Sequence, residues 1–154
     1  MNIFILDNDP QTAARYLVDK HVVKMIVESC QLMSTAITFH GGIGHYKSTH
    51  VNHPCSIWSR KTRSNFEWLY NHAVSIGKEY TFRYGKIHKC EREVLDKLWV
   101  MNKVIPNGPI TEFAQCIPDQ FKSKDPVLAY RVAYKATKSH IANWKNREVP
   151  YWWG

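Results

Sequence analysis

The chain has 154 residues, and its 21 Lys and Arg against 13 Asp and Glu give a formal charge of +8. That length suits one domain, residues 1–154, with a core of its own. That charge attracts polyanions, either nucleic acid or an anionic membrane surface. No apolar run approaches a transmembrane span and no signal peptide is evident, so a membrane partner is not expected and nucleic acid is.

The cysteines (Cys30, Cys55, Cys90 and Cys116) are scattered and form no CxxC pair. They read as reduced thiols of a cytoplasmic protein. The six Trp and eight Tyr leave aromatics to spare for stacking on bases once a core is filled.

Met1 to Leu6 is a short apolar start, expected to be extended and packed on the core. Asp9-Pro10 is a helix start, with the cap at Asp9 and proline at the first helical position. A short helix through Ala13, Ala14 and Leu17 follows. The next helix is expected over Asp19–Ile37, capped by Asp19. At about 100° per residue, His21, Lys24, Glu28, Gln31 and Thr35 share one stripe, with Val22, Ile26, Cys30, Met33 and Ile37 opposite. Such a stripe is most often just a solvated face. A solvated face, however, usually carries repeated Lys and Glu. This one holds a single carboxylate beside a cation and an amide, an arrangement suited to acid–base or electrostatic work.

Gly41-Gly42-Ile43-Gly44 ends that helix. His40, His45, His50 and His53 lie in or beside the following loop, with Cys55 close by. Their spacing matches no standard zinc pattern, so no metal is expected, and phosphate contact is an equal use for these histidines. Pro54 opens a helix with Ile57 and Trp58, and Arg60, Lys61 and Arg63 cluster near its end. Ser64-Asn65-Phe66-Glu67 reads as a capping box. It starts a helix whose apolar face holds Phe66, Leu69, Ala73, Ile76 and Tyr80, stopped by Gly85. Another helix is expected from His88 to Val100, then an irregular loop over 103–125. Asp125-Pro126 begins a last helix with Val127, Tyr130, Tyr134, Ile141 and Trp144 on one face. Arg131, Lys135, Lys138 and Lys145 form a basic stripe beside it. In the tail, Trp152 and Trp153 either pin the C-terminus to the core or stack on bases. With no strand pairing in view, the expected fold is mainly α, a single compact helical domain.

Leu17-Val18-Asp19-Lys20-His21, with Glu28 seven residues after His21, resembles the first long helix of the phage pyrimidine-dimer DNA glycosylases, the endonuclease V type. Lys24, Val27-Glu28 and Gln31-Leu32-Met33 resemble still more an uncharacterised bacterial branch of that superfamily, as do His53-Pro54 with Trp58 and the aromatic run Glu79 to Gly85. The likeness runs through about residues 1–85 in order, and through the tail in character.

The resemblance implies a small helical enzyme that bends damaged double-stranded DNA, acts as a monomer and needs no cofactor. Its N-terminal amine would attack the sugar's anomeric carbon and form a Schiff base. A helix glutamate would support the developing positive charge, and β-elimination would cut the strand. On that basis the catalytic candidates are Glu28, Met1 and His21. The DNA-binding candidates are Lys20, Lys24, His53, Arg60, Lys61, Arg63, Lys135, Lys138, Trp152 and Trp153. The phage enzymes expose a threonine amine after losing Met. Here Asn2 is too bulky for that removal, which leaves the Met1 amine. Arginines that flank the family's glutamate are replaced by Val27 and Gln31, so the lesion is open. The expected setting is the cytoplasm of a bacterium or a phage-infected host. Two alternatives remain, a non-catalytic DNA-binding homologue and an enzyme acting on a modified nucleobase in phage DNA.

Overall fold

The computed structural model describes residues 1–154, and its regular structure is entirely helical. The elements are α1 (Pro10–Tyr16), α2 (Asp19–Phe39), α3 (Pro54–Lys61), α4 (Arg63–Tyr84), α5 (Lys89–Glu93), α6 (Leu95–Trp99) and α7 (Pro126–Lys138), joined by loops and short 3-10 turns. The long helices α2 and α4 pack on each other, with α1 against α4 and α3 wedged against both. One apolar cluster runs through all of them.

The expected starts at Asp9 and Asp125 are present. Asp9 accepts the N–H of Thr12, and Asp125 accepts those of Val127 and Leu128. Gly85 ends α4 with a φ of +68°, a left-handed position that glycine takes without steric cost. Four local expectations change.

The first concerns Asp19, which is not a cap. Val18 holds that position, and Asp19 lies inside the first turn of α2 with its carboxylate turned into the protein. The second concerns α4. Its cap is Thr62, whose hydroxyl accepts the N–H of Asn65, so Ser64 and Glu67 form no capping box. The loop after α6 decides this. Carbonyls of Pro106 and Gly108 accept the N–H groups of Arg63 and Ser64, leaving only the next donors for a side-chain cap.

The third is the helix expected over 88–100, which is two short helices broken at Val94 (φ −120°, ψ −47°). Val94 and Leu95 are both buried, and the break lets these neighbours face the core together. The fourth is the last helix, which ends at Lys138. Ile141 and Trp144 therefore do not continue its face. Trp144 returns to the core from a loop, where its indole N–H donates to Tyr16 O at 2.9 Å.

By length and composition α2 is apolar enough to cross a membrane, a property the run-length reading missed. Most of its apolar surface is buried inside the domain, as in the core helix of a folded protein.

The segment 1–7 packs on the core between α2 and α7 as expected but is not extended: Phe4 is left-handed, and the Leu6 N–H donates back to Phe4 O at 3.0 Å. Ile3, Ile5 and Leu6 are buried. From α7, Arg131 donates to Leu6 O and to the Asp7 carboxylate, both near 2.8–2.9 Å. Arg131 is thereby a clamp on the N-terminal segment rather than part of an open basic stripe.

Candidate active site

Asn2 organises the N-terminus. Its Oδ1 accepts the N–H of Ile3 at 2.8 Å, that of Phe4 at 3.1 Å and the hydroxyl of Tyr130 at 3.2 Å. Its Nδ2 donates to Cys116 O at 2.8 Å. Every hydrogen-bonding valence of this amide but one is used. The turn it makes puts Phe4 at a φ of +59°, a left-handed conformation that costs a bulky residue about 1–3 kcal/mol. As a result the Phe4 ring leaves the side of Ile3 and Ile5 and stacks on His21, centroids 4.6 Å apart.

With Asn2 held, the Met1 amine lies 3.6 Å from Glu28 Oε1. The Met1 side chain is buried and the Glu28 side chain is 13 % exposed, while both residues as wholes are half-buried. Lys24, one turn earlier on α2 and open to solvent, approaches the other carboxylate oxygen at 4.0 Å. Glu28 thus sits between two nitrogen bases, the chain's own amine and an exposed lysine.

His21 is buried rather than part of a solvated stripe. Its Nδ1 is 2.7 Å from the Tyr134 hydroxyl, which also accepts the Val18 N–H. The hydroxyl proton goes to Nδ1, so the ring proton sits on Nε2. Burial, reinforced by the charges of Lys138 and Lys24, lowers the His21 pKa to about 4. Its ring is neutral near pH 7. Thr35, expected on the same stripe, is buried too. The Tyr134 hydroxyl is pushed up from its ordinary range by burial.

His72, inside α4, is also held neutral by burial, with a pKa of about 4. Both values lie below the ordinary 6.5, so the unfolded chain binds protons in that window that the native protein refuses. Stability is therefore full above that window and falls as pH drops from about 6.5 toward about 4. For the enclosed His72 the loss is about 3 kcal/mol, and His21 acts in the same direction. Urea midpoints should fall steadily between about pH 7 and about pH 4.5. A flat midpoint across that range would show that neither ring resists protonation.

A cavity of about 230 Å³ meets the N-terminal turn at Asn2 and Phe4 and is lined further by Tyr130, Tyr134, Thr137 and Lys138, among others. Lys138 Nζ stands 5.7 Å from the centre of the Phe4 ring. Sequence reasoning missed Asn2, Phe4 and Tyr134. Asn2 was considered only for its bulk, and the unusual backbone of Phe4 leaves no sequence mark.

The basic candidates divide into open and engaged. Lys20, Lys24, Lys61 and Lys135 are exposed. Arg60 donates to Val51 O and lies 4.0 Å over the Phe39 ring. Arg63 donates to the carbonyls of Lys103 and Ile105. His53 caps α3, its Nδ1 accepting the Cys55 N–H. His53 also feels both members of the amine–carboxylate pair. Burial lowers its pKa, the N-terminal charge lowers it further, and Glu28 pulls it back. Trp152 and Trp153 pack edge-on against Tyr16, Trp144 and Tyr134, and Tyr151 is the most exposed tail aromatic.

The class is an all-helical domain in which the chain's own amine meets a helix carboxylate, with exposed lysines on the same helix. The family model for pyrimidine dimer DNA glycosylase matches residues 1–92, and the chain belongs to that family. That match contains Met1, His21, Lys24 and Glu28. No curated protein and no solved structure matches the chain.

Proposed function

We propose that the protein removes a damaged pyrimidine, a UV dimer or related lesion, from double-stranded DNA and then cuts the strand as an AP lyase. The observation that carries this reading is the 3.6 Å approach of the Met1 amine to Glu28. The neutral amine attacks C1′ of the damaged nucleotide and displaces the base. Glu28 lies where positive charge grows on the sugar and stabilises it electrostatically. The amine, now bonded to C1′, passes one proton to Glu28, its nearest acceptor. The nitrogen lone pair then opens the sugar ring, the C1′–O4′ bond breaking as O4′ takes that proton, and a protonated Schiff base remains. Abstraction of a C2′ proton then expels the 3′ phosphate by β-elimination.

His21, neutral and fixed by Tyr134, holds Phe4 and with it the N-terminal turn. In this reading it is a positioning residue, and Nε2–H is its remaining donor. Lys20, Lys24, Lys135 and Lys138 supply phosphate contacts, which makes binding salt-dependent.

The test is borohydride trapping on ultraviolet-irradiated duplex DNA, with the N-terminal residue checked by intact mass. A covalent adduct is expected with the free amine and none after reductive methylation of the N-terminus. An adduct that persists after that block would move the nucleophile to a lysine. No adduct and no nicking, with binding intact, would favour a non-catalytic DNA-binding role.

A further inference from the structure

Two sulfurs from distant parts of the chain meet beneath the N-terminus. Cys55 Sγ and Cys116 Sγ are 2.7 Å apart, in direct contact. A ring nitrogen of His53 joins them, and all three donor atoms lie within 4.8 Å of one another. We propose that His53, Cys55 and Cys116 form a Cys2His site for a thiophilic divalent cation of the zinc class.

The donor chemistry selects the ion. Two thiolates and an imidazole suit Zn2+ and repel no charge, whereas Mg2+ and Ca2+ require oxygen ligands. Tetrahedral zinc–sulfur bonds of about 2.3 Å put the two sulfurs about 3.7 Å apart, so on binding Cys55 Sγ and Cys116 Sγ separate by about 1 Å from their present 2.7 Å, a change side-chain rotation supplies, and the trio stays inside its 4.8 Å span. A divalent ion also balances the charge of the two thiolates it requires, to which the N-terminal ammonium is the nearby cation in its absence.

The supports are in place without the ion. The Cys116 N–H donates to the Tyr130 hydroxyl at 3.0 Å, and the Ser59 hydroxyl donates to Cys55 O at 2.6 Å. His53 and Cys116 are half-buried, which leaves an edge for entry and for a fourth ligand from solvent. His53-Pro54-Cys55 alone matches no zinc spacing. The third donor comes from 61 residues further along the chain.

The consequence reaches the N-terminus. Cys116 O is the acceptor that holds the Asn2 amide. An ion bridging Cys55 to Cys116 therefore ties α3, the loop over 103–125 and the N-terminal turn into one unit. This proposal stands whether or not the Met1 amine is the nucleophile, because its readout is the metal.

The test uses the full chain, reduced and stripped with a chelator, and titrated with Co2+ and then Zn2+ without DNA. Expected are one Co2+ per chain, a thiolate-to-cobalt charge-transfer band with tetrahedral d–d bands, and their loss as Zn2+ displaces Co2+. Cys116→Ser and His53→Ala, checked for folding by far-UV circular dichroism, should each weaken or abolish the band. Cys90→Ser should leave it unchanged. No thiolate band in the folded, reduced protein overturns the site. So does a band that survives Cys116→Ser and disappears in Cys90→Ser. A Cys55–Cys116 disulfide in non-reducing peptide maps, with no metal uptake after reduction, also overturns it.

Discussion

Glu28→Gln should lower the rate of base release on irradiated duplex DNA by about 10²–10⁴-fold, the usual scale for one positioned carboxylate in acid–base or charge-stabilising work. Binding should change little. Gln keeps the volume and one acceptor, so the side chain still fills its place on α2 between Met1 and Lys24. What is lost is the negative charge, and with it the pull on the sugar's developing cation. It also removes the nearest proton acceptor for the amine. The two measurements are single-turnover base release and binding to the same duplex at fixed salt. If affinity fell in proportion to rate, Glu28 would be serving binding, and the catalytic reading would fail. A variant that still released base but no longer cut the strand would place Glu28 in the elimination step alone.

The parts of this site that could be read from sequence are those fixed by local spacing. Glu28 stands out as the one carboxylate on a helical stripe, and Asp9-Pro10 and Asp125-Pro126 announce their helices through the first turn's own N–H groups. The resemblance added Met1 as the amine. The structure then brings Met1 to Glu28 through Asn2, whose partners include Tyr130 and Cys116, more than a hundred residues away. No periodicity reports a contact of that range.

The same holds for His21. Helical spacing places it on the polar face, but Phe4 and Tyr134, in contact with each other, cover it. Thr62 rather than Ser64 caps α4 because a loop forty residues on claims the intervening N–H groups. Asp19 looked like a cap because its residue type favours that position. Its actual partners come from α4 and from the tail.

That last interaction carries the second large effect. Arg83→Met should destabilise the protein by about 3–5 kcal/mol, the cost of breaking a buried pair by removing one partner. Arg83 is 1 % exposed. It donates to Glu79 Oε1 at 2.9 Å, to Asp19 Oδ1 at 3.0 Å and to the carbonyls of Leu17 and Arg15. Asp19 also accepts the Asn143 amide and the Lys145 N–H. Glu79 accepts Arg147 through both oxygens, at 2.8 and 3.0 Å. Burial would raise the Glu79 carboxyl, but the hydrogen bonds and charges of Arg147 and Arg83 outweigh it and hold Glu79 below the ordinary carboxylate range.

One guanidinium thus joins the C-terminus of α1, the start of α2, the end of α4 and the tail. Methionine fills the stem's space but leaves Asp19 buried without a cationic side-chain partner, while Glu79 keeps Arg147. Adding Asp19→Asn to Arg83→Met should therefore recover part of the loss, and adding Glu79→Gln should not, because it strands Arg147. Urea midpoints of the single and double variants decide this. An Arg83→Met midpoint equal to the parent's would mean the network contributes nothing net. At a temperature where Arg83→Met remains folded, its base-release rate should stay close to the parent's. The network holds the ends of the helices together and touches neither Met1 nor Glu28.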